Sequence, residues 1–245
     1  MPPDDRGALL GFPLDRLDLP AATERVLALA DADAPAAVVT LNPELVVRAR
    51  RDAALADAVR RADLVVPDGV GVVWAARRAG LAPPGRVPGV ELAQAVLARA
   101  GDRLPTFLVG GRPGVADRAA ERIRAAYGTH VVGTHDGYFP DADGARVADA
   151  VRASGARLLL VGLGERQERF VDRHRAAFGR PCALSLGGTL DVLAGDVRRT
   201  PAWTRRAGVE WAWRIAADPA RWHRAPRLAR FAWIVLRTPA GGPRS

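Results

Sequence analysis

The chain is 245 residues long, about half of them apolar and a quarter charged, with a formal net charge of +9. That balance belongs to a globular protein with a substantial core, one large domain or one domain with an appendage, and excludes a disordered chain. A single cysteine, Cys182, excludes an internal disulfide framework and cysteine-based zinc spacing, and no apolar run approaches the ~20 residues of a bilayer span.

The first residues, MPPDDRGALLGFPLD, lack the basic segment and apolar core of a signal peptide, so the expectation is a cytoplasmic protein, soluble or peripherally bound. Residues 8–19 read as a short strand and turn, and 20–32 as a helix with Pro20 near its start. AAVVTLN (36–42) is a compact β-branched run, followed by one helix over 43–62 begun by Pro43. The pattern repeats as an LVV strand, a DGVG loop and a helix over 70–79, then a loop and a helix over 89–100. TFLVG (106–110), a helix over 114–127, HVVGTH (130–135) and a helix over 144–154 follow. The series closes with ARLLLVG (156–162), an LGER turn, a helix over 165–178 and PCALSLG (181–187). Apolar strands alternating with helices predict an α/β fold: a Rossmann-like, mostly parallel sheet with helices on both faces. Ligands of such sheets sit at the carboxyl ends of the strands, where most of the glycines and unusual polar residues of this chain fall.

After Gly195 the alternation ends. Every basic residue is arginine, and with so much alanine that reflects a GC-rich coding sequence, so position matters more than number. Residues 196–245 hold eleven arginines against three acids, a local balance of +8, and five of the six tryptophans. Pro201, Pro219 and Pro226 divide this stretch into two or three helices. The expected organisation is a core over 1–195 and a basic, Trp-rich helical appendage over 196–245. Arginine with interleaved tryptophan suits nucleic acid, an anionic membrane surface, or a helical lid packed on the core. The membrane reading is favoured over nucleic acid, because the core carries no RNA-binding signature.

Several constellations at strand ends have chemical readings. FLVGGRPG and LLLVGLGER are strand, glycine turn, helix, a geometry that points N–H groups at an anion, yet neither matches GxGxxG or the Walker pattern. Together they lean toward a nucleotide or sugar-nucleotide ligand, with plain βα turns as the alternative. Asn42 reads as a helix N-cap, whereas Thr40, at a strand end, has no such duty and can face a ligand. Asp68 in VVPDGVG has two readings, the cap of the next helix or a partly desolvated general base. Gly69 and Gly71 beside it permit close approach of backbone to something else. The pairs Asp31/Asp33 and Asp141/Asp143 read as surface turns, and the four histidines show no ligand spacing, so neither metal nor cofactor is expected.

The ordered set TLNPELV, ADLVVPDGVGVVWAAR, RVPGVEL, FLVGG, HDGYF, LLLVGLGERQERF, SLGGTLDVLAGDVRRTPAW and GVEWAWRIAADPARWHR resembles the WecG/TagA/CpsF glycosyltransferases, glycosyltransferase family twenty-six, over about residues 36–224. The resemblance implies an inverting, metal-independent transfer of a sugar from a UDP-sugar to a polyprenyl-diphosphate-linked sugar, peripherally on the inner face of the cell membrane. The products of such enzymes are teichoic acid linkage units and other surface polysaccharides. It implies Asp68 as base, its flanking glycines leaving room for both sugars, and substrate contacts from Thr40, Asn42, Arg86 and Gln167. It likewise implies Gly187 and Gly188 near the nucleotide, and Arg214, Arg221 and Arg224 on the lipid diphosphate and the departing UDP. Nucleic acid is not an implied partner, and a homo-oligomer is compatible. The chain departs from the family pattern at Glu165 and Arg166, where proline and lysine are usual, and at Glu91, where aspartate is common. A rival of another class is a non-catalytic nucleotide-sugar- or nucleic-acid-binding module. A Rossmann dehydrogenase is weakened by the missing dinucleotide fingerprint.

Overall fold

The computed structural model describes residues 6–197 and 225–238. The chain opens with a hairpin of β1 (Arg6–Leu9) and β2 (Phe12–Asp15), joined by Leu10 and Gly11 with φ of +53° and +89°. Positive φ at both turn positions is the primed geometry that matches strand twist. The main sheet is built from β3 (Ala36–Leu41), β4 (Leu64–Pro67), β5 (Thr106–Gly110), β6 (Val131–His135), β7 (Leu158–Gly162) and β8 (Cys182–Ser185). Its order is β4-β3-β8-β7-β5-β6, and every pairing is parallel. The hairpin protects its outer edge, since the fully buried Asp15 carboxylate accepts the β4 amide of Val65 at 2.7 Å.

Ten α-helices lie among the described residues: α1 (Leu19–Asp31), α2 (Pro43–Ala49), α3 (Ala53–Arg60), α4 (Val70–Arg78), α5 (Gly89–Ala100), α6 (Val115–Tyr127), α7 (Gly144–Ala153), α8 (Gln167–Phe178), α9 (Thr189–Leu193) and α10 (Ala225–Arg237). Strand residues such as Val38, Val39, Leu159 and Leu160 are buried on alternate faces, which is why the strands read as continuous apolar runs. One face packs on α2, α3, α4, α7, α8, α10 and the hairpin; the other packs on α1, α5, α6 and α9. α10 joins the first core through Phe231, Ile234 and Val235, all buried.

The α/β expectation holds, with three corrections in detail. The short strand and turn expected over 8–19 is a two-stranded hairpin that begins at Arg6. The single helix expected over 43–62 is two, because Asp52 leaves helical geometry and caps α3, its Oδ1 accepting from Leu55 N at 3.0 Å. A short helix, α9, follows β8 where none was expected. Cys182 lies in β8 with no exposed surface, and burial pushes its thiol well above the ordinary range. The native chain is therefore expected to resist an aromatic disulfide reagent that labels one thiol in urea; equal labelling rates in both states would refute this burial.

Candidate active site

The helices that follow β3 and β8 pack on opposite faces, α2 on one and α9 on the other, so a crevice opens between the carboxyl ends of these neighbouring strands. The segment Arg86–Gly89 borders it. Val87 N donates to Pro67 O at 2.7 Å, and a Cβ on Gly89 would lie 3.4 Å from Thr40 Cγ2 and Oγ1. The start of α5 thus rests on the ends of β3 and β4.

Asp68 stands just beyond β4, half-buried, its backbone N–H bonded to Leu41 O at 2.8 Å. The helix-cap reading of this residue is decided by its neighbour. Gly69 is the N-cap of α4, at φ +91° and without a side-chain cap bond. The Asp68 carboxylate is consequently not the cap. The expectation that both flanking glycines clear space for sugars is corrected at Gly71. A Cβ there would lie 2.9 Å from Pro43 Cγ and 3.6 Å from Phe231 Cε1, so Gly71 exists to let α4 pack on α2 and α10. At Gly69 an added Cβ meets nothing within 4 Å, and the positive φ is the reason for glycine.

Asn42 is the N-cap of α2, its Oδ1 accepting from Leu45 N at 2.9 Å. Thr40 is buried inside β3, and its hydroxyl donates to Ser185 O at 3.2 Å, tying β3 to β8 directly under the crevice. Arg86, half-buried, has Nη2 4.0 Å from Glu91 Oε1 on the first turn of α5. The Glu91 departure thus places its carboxylate beside Arg86.

Across the crevice, Gly187 (φ +57°) and Gly188 form the turn after β8. Gln167, the first residue of α8 and buried, accepts the Gly187 N–H on its Oε1 at 2.8 Å. Its Nε2 donates to Glu168 Oε1, also at 2.8 Å, which fixes the amide the right way round. Burial pushes the Glu168 carboxyl above its usual range, offset in part by that donated bond. The Asp68 and Gly187 ends lie on strands two spacings apart, about 10 Å. Arg214, Arg221 and Arg224 lie outside the described residues.

Arg166 does not reach this crevice. It donates to Gly137 O at 2.6 Å, Phe139 O at 2.8 Å and Asp141 Oδ1 at 3.0 Å, and stacks 4.4 Å over the Phe139 ring. The turn-like reading of the aspartate pairs fits their contacts. Asp141 and Asp143 pair with Arg166 and Arg146, and Asp33 pairs with Arg157 and Arg180. Among the described residues no cluster of three His, Cys, Asp or Glu side chains is placed to hold a metal. A shallow cleft of about 520 Å³ at the hairpin, lined by Gly11, Arg50, Asp52 and Arg60, adjoins the carboxyl-terminal end of α2, away from the crevice.

A crevice at the strand ends, a carboxylate on one lip and a glycine turn on the other, is a layout many α/β enzymes share, and fold alone does not choose among them. The choice comes from comparison with known families. The model of the glycosyl transferase WecG/TagA/CpsF family matches residues 8–244. The chain belongs to that family. It is therefore a glycosyltransferase, of a family that serves cell-surface polysaccharide biosynthesis. Membership covers both the sheet and the basic C-terminal stretch, and it brings sugar donors and acceptors as the substrate classes of this enzyme.

Two contributors escaped sequence reasoning. Glu168 orients Gln167 from the neighbouring position, a contact that no spacing in the sequence displays. Arg227, in α10, meets Glu44 and Glu165, partners too distant in the chain for any periodicity to reveal.

Proposed function

We propose that this glycosyltransferase moves a sugar from a UDP-sugar to a polyprenyl-diphosphate-linked sugar with inversion, without a metal, using Asp68 as base. The sugar is of the N-acetylmannosamine type, its uronic acid, or glucose. The observation that carries the reading is Asp68 itself: a half-buried carboxylate at a strand lip, with the adjoining helix capped by Gly69 instead. Asp68 takes the proton of the acceptor hydroxyl as that oxygen attacks C1 of the donor sugar. The C1–O bond to the diphosphate breaks on the opposite side, and UDP leaves with the electron pair. Inversion needs nucleophile and leaving group on opposite sides of the sugar. An acceptor beside Asp68 and a diphosphate at the Gly187–Gly188 turn, two strand spacings apart, meet that need.

The leaving diphosphate gains charge as the bond breaks. Guanidinium groups and backbone N–H donors are the stabilisers available in this sequence. Arg86 serves from the core, and Arg214, Arg221 and Arg224 from the appendage over 196–245. Gln167 holds the Gly187 turn ready, which lowers the reorganisation needed at the moment of transfer. The appendage also docks the enzyme on the cytoplasmic face of an anionic membrane. The outer face of α10 supports this, with Arg230, Trp233, Leu236 and Arg237 exposed and Arg237 stacked 4.3 Å over Trp233. No helix among the described residues is long and apolar enough to cross a bilayer.

The test is UDP release from a panel of UDP-sugars with a polyprenyl-diphosphate-GlcNAc analogue, with and without EDTA. Release that depends on the acceptor and is unchanged by EDTA is the expected result, and it names the donor. Loss of release on chelation would overturn the metal-free chemistry, and no release with any donor would overturn the substrate assignment.

A further inference from the structure

The turn between β7 and α8, Leu163–Arg166, is followed at once by Gln167, and three consecutive residues here grip three separate elements. Glu165 faces the C-terminal helix. Its Oε1 is bonded by Arg227 Nη1 of α10, and its Oε2 lies 3.7 Å from Arg48 Nε of α2. Arg48 also donates to the Glu165 backbone oxygen, and Arg227 reaches Glu44 of α2 at 3.8 Å. Arg166 holds the loop after β6 through the carbonyls of Gly137 and Phe139. Gln167 holds the Gly187 N–H. Gly164, at φ +58°, supplies the tight bend that lets neighbouring side chains diverge so far.

We infer that Glu165 is a positioning residue, coupling the docking of the C-terminal helix to the geometry of the Gly187 turn. The inference rests on the reading that this turn holds the donor diphosphate. When α10 is seated, Arg227 and Arg48 fix Glu165 from two sides. The backbone then has no slack between Glu165 and Gln167, and the Gln167 amide meets Gly187 N–H at bonding distance. When Arg227 lets go, Glu165 keeps its backbone bond to Arg48 but loses its anchor on α10, and the first turn of α8 is freer to shift. An ion pair this exposed contributes little to folding by itself, with Glu165 at 61% and Arg227 at 31%. Its effect is accordingly expected on ligand affinity more than on stability. A coupling of this kind would make the enzyme bind donor well only with its basic appendage in place.

The experiment measures UDP affinity of the full chain by calorimetry at low salt. Arg227→Gln and Glu165→Gln, which remove one charge each while keeping a side chain of similar reach, are each expected to weaken UDP about 5-fold or more. Arg227→Lys is expected to stay within about 2-fold of the unaltered chain. The decisive readout is the cycle with Gln167→Ala: in that background Arg227→Gln is expected to have no further effect, because the path to Gly187 is already cut. A merely structural role for Arg227 would weaken UDP by the same factor in both backgrounds, and that result overturns the coupling. So does unchanged affinity in both Gln variants while the unaltered chain binds UDP. If the unaltered chain fails to bind UDP, the donor reading itself falls and the coupling with it, an outcome distinct from the other two.

Discussion

Asp68→Asn is expected to lower kcat by about 10²–10⁴-fold while leaving the UDP dissociation constant and the unfolding midpoint nearly unchanged. The size follows from the role: an amide of the same shape cannot take a proton, so attack must proceed from an unassisted hydroxyl. Selectivity follows from the geometry. What the backbone needs from position 68 is the N–H bond to Leu41 O, and the turn into α4 is made by Gly69. Neither of these two backbone roles uses the carboxylate. UDP is expected two strands away, and its affinity should be indifferent as well. The measurement is steady-state turnover beside calorimetric UDP binding on the same preparation. Full activity in the variant would refute the base. Loss of activity together with UDP binding would instead recast Asp68 as a residue that organises the site.

The sheet was legible because both of its faces are covered: runs such as AAVVTL and LLLVG have no polar alternation to confuse them with anything but strands. Helix starts were legible where a cap or proline announced them, as at Pro20 and Asn42. The break between α2 and α3 was obscured by RARRDAALADAV, which keeps helical periodicity straight through, although Asp52 ahead of Ala-Ala-Leu is a cap signal. Asp68 and the Gly187–Gly188 pair are legible as strand-end residues, because the apolar runs before them mark where β4 and β8 stop. Whether Asp68 caps α4 turns on the φ of Gly69, which the residues alone do not display. Gly71 was misread because its reason is Pro43 and Phe231, contacts that exist only once α2 and α10 are in place. Gln167 was picked out by resemblance, but its partner Gly187 sits in a different loop. Glu165 stood out as a departure, and only its non-local ion pairs with Arg48 and Arg227 give it a purpose.

Gly110→Ala is expected to destabilise the chain by about 3–5 kcal/mol, on the order of 10 °C in melting temperature for a domain this size. Gly110 closes β5 beside Gly162, which closes β7, and the two are register partners on strands that are both paired on each side. A Cβ on Gly110 would lie 2.4 Å from Gly162 O, 2.6 Å from its carbonyl carbon and 2.7 Å from its Cα, at a φ of +144° that side chains rarely adopt. The obstacle is backbone, so no rotamer change relieves it. Relief requires β5 and β7 to part, against the bond Gly111 N to Gly162 O at 3.2 Å and the parallel ladder between the two strands. A control isolates the clash from the loss of glycine's freedom. Gly128 caps α6 at φ +67° with nothing within 4 Å of an added Cβ, so Gly128→Ala should cost only about 1 kcal/mol. Urea midpoints of the three proteins make the comparison, and equal losses at both glycines would sink the argument. The consequence extends to the site. A Cβ on Gly162 would meet Gly187 O at 3.0 Å, so strand ends forced apart at Gly110 press on the turn assigned to the donor diphosphate. The same variant should therefore weaken UDP binding under conditions where it is still folded.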